Sequence, residues 1–325
     1  MNFEPGIWRA LVIAVACASA VPAAAQTWPA RPVRIIVPFA PGGGVDTVTR
    51  FLAQKLSEQT GSSFVVDNRP GGAAVLGTEL VARAAPDGYT LLTSAPEFSI
   101  NPSMRSKLPY DPFKDFAYIS QLTAGQFMLA SHPSVPVKTV RQVIALAKAR
   151  PGELNYGSSG TGGINHLAGA LFQSMTGIRW VHVPFKGAGP STIGLIGGHI
   201  DFVFASTTGL VGPAKAGKVR AIAVTGPKRF TELPQVPTIA ESGVPGYYVT
   251  GWYGFYAPAG TSAEIVRRLH AEARRALNSP DVAEKLAKTG NVPVASPPEE
   301  FAAFVRAEIG KWAKVIRDSS LEKID

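Results

Sequence analysis

The apolar positions of this chain fall into short runs punctuated by glycine and proline, and the period of the runs alternates. Residues 34–39 (RIIVPF) are an apolar stretch of strand length. Pro41-Gly42-Gly43-Gly44 follows, and then Val48, Phe51, Leu52 and Leu56 recur at helical spacing. This predicts a strand, a glycine turn and a helix over 45–59 that stops at Gly61. Phe64-Val65-Val66 predicts a second strand, residues 68–72 a loop and 73–84 a helix. Pro86-Asp87-Gly88 is a turn into a third strand over 90–94. Strands alternating with helices predict an α/β fold, a mostly parallel sheet with helices on both faces.

The same alternation starts again after a strand predicted at 127–131. A helix over 140–149, a strand at 154–156, the loop Gly157-Ser158-Ser159-Gly160-Thr161-Gly162-Gly163 and a helix over 164–175 come next. Strands at 180–183, 201–204 and 219–224 flank a helix at 190–197, and 252–257 (WYGFYA) is extended. The rest is helical, over 264–278, 283–289 and 299–318. This late block has too few strands for a third sheet, so it is expected to pack back on the first lobe. Lobe one is then 26–124 plus 253–325, and lobe two is 125–252. The chain crosses between them twice, near 123–126 and 251–253, and such a double crossing makes a hinge able to close on a ligand.

The N-terminus changes the picture of where the chain works. Arg9 precedes an apolar run at 10–21, Pro22 breaks it, and Ala23-Ala24-Ala25 offers a cleavage site before Gln26. A basic start, an apolar stretch and small residues at its end describe a secretory signal peptide over 1–25. The run is shorter than the roughly 20 residues a bilayer span needs. The single cysteine, Cys17, lies inside this leader, so cleavage would leave no thiol for disulfides, metal or nucleophilic chemistry. The alternative is a lipoprotein leader with Cys17 lipidated, although the preceding Ala14-Val15-Ala16 lacks the usual leucine. The net charge of +9 is scattered and contains no basic run interleaved with aromatics, which argues against nucleic acid. A positive field favours anionic solutes, and it equally serves solubility. At 325 residues the chain is long enough for about two domains.

The chemistry is concentrated in the two glycine loops. The first N–H groups of a helix have no partner inside it, and that end is positive. Glycine lets a ligand approach such a backbone closely, so each loop is a candidate anion seat. A clamp forms if one from each lobe faces a common cleft. Nucleotide motifs are missing: position 47 is Thr and position 165 is Asn where G-x-G-x-x-G would need glycine, and no G-x-x-x-x-G-K-[ST] occurs. No cofactor is expected. Gly157-Ser158-Ser159-Gly160-Thr161 lacks the closing glycine of a nucleophile elbow, and His132, His166, His182, His199 and His270 show no metal-ligand spacing. His166, in the first turn after the loop, reads as a packed or capping histidine.

In order along the chain stand Trp28-Pro29-x-Arg31-Pro32, Pro38-Phe39-x-Pro41-Gly42-Gly43-x-x-Asp46-x-x-x-Arg50, Asn68-Arg69-Pro70-Gly71-Gly72 and Pro86-Asp87-Gly88-Tyr89-Thr90-Leu91. Later come Ser159-Gly160-x-Gly162 with His166-Leu167-Ala168, Val183-Pro184-Phe185-Lys186-Gly187, and Gly251-Trp252-x-Gly254 before Ala257-Pro258-Ala259-Gly260-Thr261. With these residues the chain resembles the substrate-binding proteins of tripartite tricarboxylate transporters, the Bug family, over nearly its whole length beyond the leader.

The resemblance implies a two-lobed periplasmic-binding-protein (flytrap) fold with the ligand cleft between the lobes. It implies a periplasmic, non-enzymatic protein that binds a small carboxylate-bearing or aromatic solute and works with the membrane subunits of such a transporter. It also implies that the loops of Pro41, Gly42, Gly43 and Asp46, and of Ser158, Ser159, Gly160, Thr161 and Gly162, hold a ligand carboxylate through backbone groups and waters. Asp46 would orient such waters, or simply favour the helix dipole as a first-turn acid. Phe39 lies in the first loop, Lys186 would add positive charge, Ser206 and Thr207 would line the cleft, and Ser94 ends a strand at the edge where open sheets bind ligands. Glu97 departs from the small or amide residues usual there. Facing the cleft, it would repel a second ligand carboxylate and suit an amine, hydroxyl or ring nitrogen. A ligand sensor and, with less support, a secreted hydrolase are the competing readings. Nothing in the sequence asks for more than a monomer.

Overall fold

A computed structural model describes residues 28–185, 187–319 and 321–324. The leader expected at 1–25 therefore lies outside the described residues. The first βα units form where the apolar runs lie. β1 (Val33–Val37), β2 (Phe64–Asn68) and β3 (Thr90–Ser94) are parallel, with β1 in the middle. β1 is almost wholly buried because α1 (Gly44–Thr60) covers it with Val48, Leu52 and Leu56. α2 (Val75–Ala82) and α3 (Glu97–Met104) complete this part of lobe one.

β4 (Phe116–Ser131) is a single strand of 16 residues running from one lobe into the other. Its second half was expected as a strand of its own; its first half is extended too. The polar side chains that obscured the pattern there are buried and bonded to distant chain. Ser120 Oγ donates to the Ser296 carbonyl at 2.9 Å, and Gln121 N donates to Ser296 Oγ at 3.1 Å. In lobe two, β5 (Asn155–Ser158) lies between β6 (Val181–Pro184) and β7 (Phe202–Ser206), all parallel. β7 and β8 (Arg220–Val224) pair antiparallel with β4. α4 (Val140–Ala149), α5 (Ile164–Thr176), α6 (Ala188–Ile196) and α7 (Thr207–Lys215) pack around them.

The return strand β9 (Thr250–Pro258) is antiparallel to both β3 and β4. The two crossing segments therefore lie side by side, with Thr123 opposite Tyr253, Ala124 opposite Trp252 and Gly125 opposite Gly251. The result is one curled sheet in the order β2-β1-β3-β9-β4-β7-β5-β6, with β8 and β10 (Asn291–Pro293) also on β4. Among the described residues, no helix is long and apolar enough to cross a membrane.

α8 (Ala263–Leu277) and α9 (Pro280–Lys288) bury Leu269, Ala273, Leu277, Val282 and Leu286 in one core with Val33, Ile35, Val48 and Leu52. The last helix, α10 (Pro298–Asp318), divides its loyalty. Phe301 and Val305 join the core under β3 and β9, whereas Trp312, Val315 and Ile316 join the core of lobe two with Phe172, Tyr247 and Phe204. Beyond it, Ile324 N donates to the Met104 carbonyl at 2.8 Å, which fastens the C-terminal residues to the end of α3.

Candidate functional site

Both glycine loops end in a helix whose N-cap is a glycine in extended conformation, Gly43 before α1 and Gly163 before α5. Neither helix has a side-chain cap hydrogen bond. Thr139 before α4, Ser206 before α7 and Ser262 before α8 supply such caps, whereas α2, α3, α6, α9 and α10 also lack them. A serine, threonine or aspartate at either glycine would have satisfied an N-terminal amide. Its omission leaves the positive helix ends open to an external acceptor.

In lobe one, Pro41, Gly42, Gly43 and Gly44 are exposed, and Asp46 directly behind them is buried. Asp46 Oδ2 accepts from Gly42 N at 2.9 Å and from Arg50 Nε at 3.0 Å, and Oδ1 accepts from Asn68 Nδ2 at 3.0 Å. Burial pushes its carboxyl up, but the hydrogen bonds from Arg50, Gly42 and Asn68 more than offset this and hold it below its ordinary value. Both oxygens thus carry protein donors, and the side chain shapes the loop. Asn68 Nδ2 also reaches the Phe39 carbonyl at 3.0 Å. Phe39 itself packs half-buried with Val37, Val45, Ala95 and Tyr253.

In lobe two, Ser158 is fully buried while Ser159 and Gly160 are half-buried and Thr161 is exposed. Ser158 Oγ lies 2.6 Å from His182 Nε2 and accepts from Gly160 N at 3.1 Å. Gly162 N donates to His166 Nδ1 at 3.1 Å, and the His166 and His182 rings stack with centroids 3.8 Å apart. Burial, then the neighbouring His182, pushes His166 down to about 3, and burial pushes His182 down to about 4. Both rings are therefore neutral at physiological pH, which keeps Nδ1 of His166 an acceptor. The Ser–His distance is that of a nucleophile and base. Here the hydroxyl is buried and shared with the Gly160 backbone, so the contact fastens the loop from beneath.

The two loops meet across α3. At its C-terminal end, a side chain at Gly162 would contact Met104 and Ile324. At its N-terminal end stands Glu97, whose charge reaches Tyr253, and the Tyr253 hydroxyl occupies the space a side chain at Gly44 would need. α3 has eight residues, so these ends are separated by about 10 Å at 1.5 Å per residue. Each loop is thus tied to a different end of α3.

Of the expected site hydroxyls, Ser94 Oγ at the end of β3 and Thr207 Oγ1 at the start of α7 are buried and lack hydrogen-bond partners among the described residues, as do Thr123 Oγ1 and Ser131 Oγ on β4. Ser206 Oγ accepts from Gly209 N at 3.3 Å as the α7 cap. Lys186 lies outside the described residues. Among the described residues no cluster of His, Cys, Asp and Glu could hold a metal. A separate apolar groove beside the crossing strands, lined by Phe230, Tyr248 and Val292 among others, contains none of the expected site residues.

Tyr253, Met104 and His182 were not legible as site residues. Tyr253 stands at the variable position of the Gly251-Trp252-x-Gly254 motif, and its place follows only from the pairing of Gly254 with Ser94.

The family model described as "Tripartite tricarboxylate transporter family receptor" matches residues 48–321. Protein BugT of Bordetella pertussis is 35% identical over 302 residues, 92% of this chain and 93% of that one. The structure of R. palustris Rpa4515 with adipate superposes with a TM-score of 0.81 at 36% identity, covering 91% of this chain and 100% of that one. MatC from Rhodopseudomonas palustris with bound malate gives 0.77 at 31% identity over 89% and 100% of the two chains.

Proposed function

The chain belongs to the tripartite tricarboxylate transporter receptor family, whose members are solute-binding proteins, and from that premise we propose that it captures a small carboxylate in the periplasm and hands it to the membrane subunits of such a transporter. The observation that carries the reading is the pair of uncapped, glycine-started helices, α1 and α5, which open from opposite lobes toward the two ends of α3. Each would offer amides and a positive helix end to a carboxylate oxygen. The moving halves are residues 26–124 with 253–325 and residues 125–252, hinged where β4 and β9 pair, except that the C-terminal half of α10, packed in the core of lobe two, moves with that lobe.

In this reading the ligand contacts are made by the backbone of Gly43–Asp46 and of Ser159–Asn165, by the hydroxyls of Ser94, Thr207 and Tyr253, and by Lys186. Asp46, His166, His182 and Ser158 hold the loops in shape. Two similar proteins with bound adipate and malate, both small carboxylates, support the ligand class.

A thermal-shift screen of mono- and dicarboxylates on the chain without its leader tests this. Binding to the folded state alone stabilises by about 2.7 kcal/mol at 100 times Kd, so a true ligand raises Tm by several degrees and saturably. If no carboxylate raises Tm while the protein is folded, the reading fails.

A further inference from the structure

α3 lies on the seam between the two proposed lobes. On one side Phe98 packs with Trp252, Tyr256 and Phe301. Asn101 Nδ2 donates to the Ala73 carbonyl at 2.9 Å, and Arg105 Nη2 donates to the Gly72 carbonyl at 2.6 Å. These contacts fasten α3 to lobe one. On the other side Ile100 and Met104 join the core that holds Leu167, Phe172 and Phe204.

The chain beyond α10 comes to the same seam. Leu321 N donates to the Ile316 carbonyl at 3.1 Å, and Leu321 and Ile324 pack on the lobe-two core. The backbone of Ile324 is bonded on both sides to the end of α3. Its N–H donates to the Met104 carbonyl at 2.8 Å, and its carbonyl accepts from Ser106 N at 3.4 Å. Its side chain reaches the second glycine loop: a methyl group at Gly162 would stand 3.0 Å from Ile324 Cδ1 and 3.5 Å from Met104 Cγ.

Gly162 directly precedes Gly163, the N-cap of α5, so its position sets where the amides at that helix end stand. Within lobe two its N–H is held by His166 Nδ1 at 3.1 Å. A run of glycines has little stiffness of its own, so packing from outside decides how firmly the loop keeps its place. Ile324 supplies that packing while its backbone is fixed to a helix of the other lobe.

We propose that Ile324 is a positioning residue, which staples the second glycine loop to α3 and, through α3, to lobe one. The staple holds the two loops in register before a solute arrives, and a loop fixed beforehand loses less freedom on binding. The importance of this to binding rests on the reading of that loop as part of the site, but the staple itself needs no ligand.

Amide hydrogen exchange and an interlobe distance test it on the ligand-free chain without its leader. The variants are I324A, I324V and a chain lacking residues 321–325. Cys17 is the single cysteine of the sequence and lies in the expected leader. Gln54→Cys in α1 and Ala145→Cys in α4, both at exposed positions, therefore carry the only two spin labels. I324A should raise exchange in peptides spanning 159–166 about tenfold or more, while those of β1 and α1 change by less than about twofold. I324V keeps the branched side chain and should stay within about threefold of wild type. The interlobe distance distribution should broaden in I324A and in the shortened chain, and not in I324V. Unchanged exchange at 159–166 in a folded I324A, an equal rise in β1 and α1, or distance distributions identical to wild type each overturn the staple. Should the shortened chain fail to fold, I324A and I324V decide alone. No ligand enters these measurements, so their failure leaves the carboxylate reading to the thermal-shift screen.

Discussion

The backbone N–H of Gly42 donates to Oδ2 of Asp46 at 2.9 Å, so the first glycine loop is closed upon a carboxylate of its own. This is how a loop of four exposed residues is braced from within the protein. Its anchor is buried one helical turn below, and Arg50 and Asn68 hold that anchor in turn.

Asp46→Ala removes the acceptor of three hydrogen bonds. Of the donors left behind, Arg50 reaches solvent, while Gly42 N–H and Asn68 Nδ2 lose a well-placed acceptor. Charge-assisted bonds of this kind are worth about 1.5–3 kcal/mol each to truncation, and the exposed Arg50 share is discounted. We expect a loss of about 2–3 kcal/mol in urea unfolding at pH 7, with carboxylate affinity falling further than stability alone accounts for. Unchanged affinity would mean that this loop does not touch the ligand.

The stacked pair His166 and His182 gives stability a dependence on pH. Both folded values are pushed below the usual 6.5, to about 3 and about 4. Between 6.5 and about 4 the unfolded chain binds protons that the folded chain refuses. Stability is therefore full above pH 6.5 and is lost as the pH falls through that window. At pH 5 each ring should cost about 2 kcal/mol relative to pH 7.5, and the pair about 4 kcal/mol. The double variant His166→Gln, His182→Gln should flatten this slope in denaturant titrations. A wild-type curve already flat from pH 7.5 to 5 would show the rings to be unperturbed.

What the sequence made legible was local. β1 with α1 and β5 with α5 each write an apolar run, a glycine turn and a helical period in consecutive residues, so both loops could be found and paired. The long-range parts were not legible. α3 reads EFSINPSM, with Pro102 inside it and little amphipathic pattern. α7 contains Gly209, Gly212 and Pro213. The first half of β4 buries Ser120, Gln121 and Thr123, whose surroundings come from strands and loops far along the chain. Tyr253 entered the site for the same reason, through strand pairing that no local pattern encodes. The divided packing of α10 depends on Trp312 reaching Phe172 and Tyr247, a contact with no signature in the helix itself.

Two glycines of the site should respond differently to alanine. At Gly44 the backbone is not left-handed, and the added methyl group meets only the hydroxyl end of Tyr253. Alanine in a helix gains about 0.5–1 kcal/mol over glycine, so stability should hold within about 1 kcal/mol while the displaced Tyr253 costs ligand affinity. At Gly162, φ is +78° and the methyl group lies 3.0 Å from Ile324 Cδ1. Gly162→Ala should destabilise by about 1–2 kcal/mol. Trimming Ile324 to Ala should recover only the steric part, a coupling a double-mutant cycle measures. Equal stability losses at both glycines would contradict the local geometry.

Glu97 should reveal itself without any ligand. Its folded carboxyl is pushed above its ordinary value of 4.5 by burial. Above 4.5 the unfolded chain releases the proton while the folded chain still holds it. The residue's contribution is therefore favourable below pH 4.5 and is lost as the pH rises through the folded value. This is the opposite sense to Asp46 and the histidine pair. Glu97→Gln removes the ionisation and keeps the shape, so the ligand-free variant should gain on wild type as the pH rises from 4.5 toward 7. The gain is at most about 1.4 kcal/mol per pH unit crossed before it levels off. The measurement is Tm against pH for both proteins. Parallel curves would show that the Glu97 carboxylate is already compensated in the folded chain.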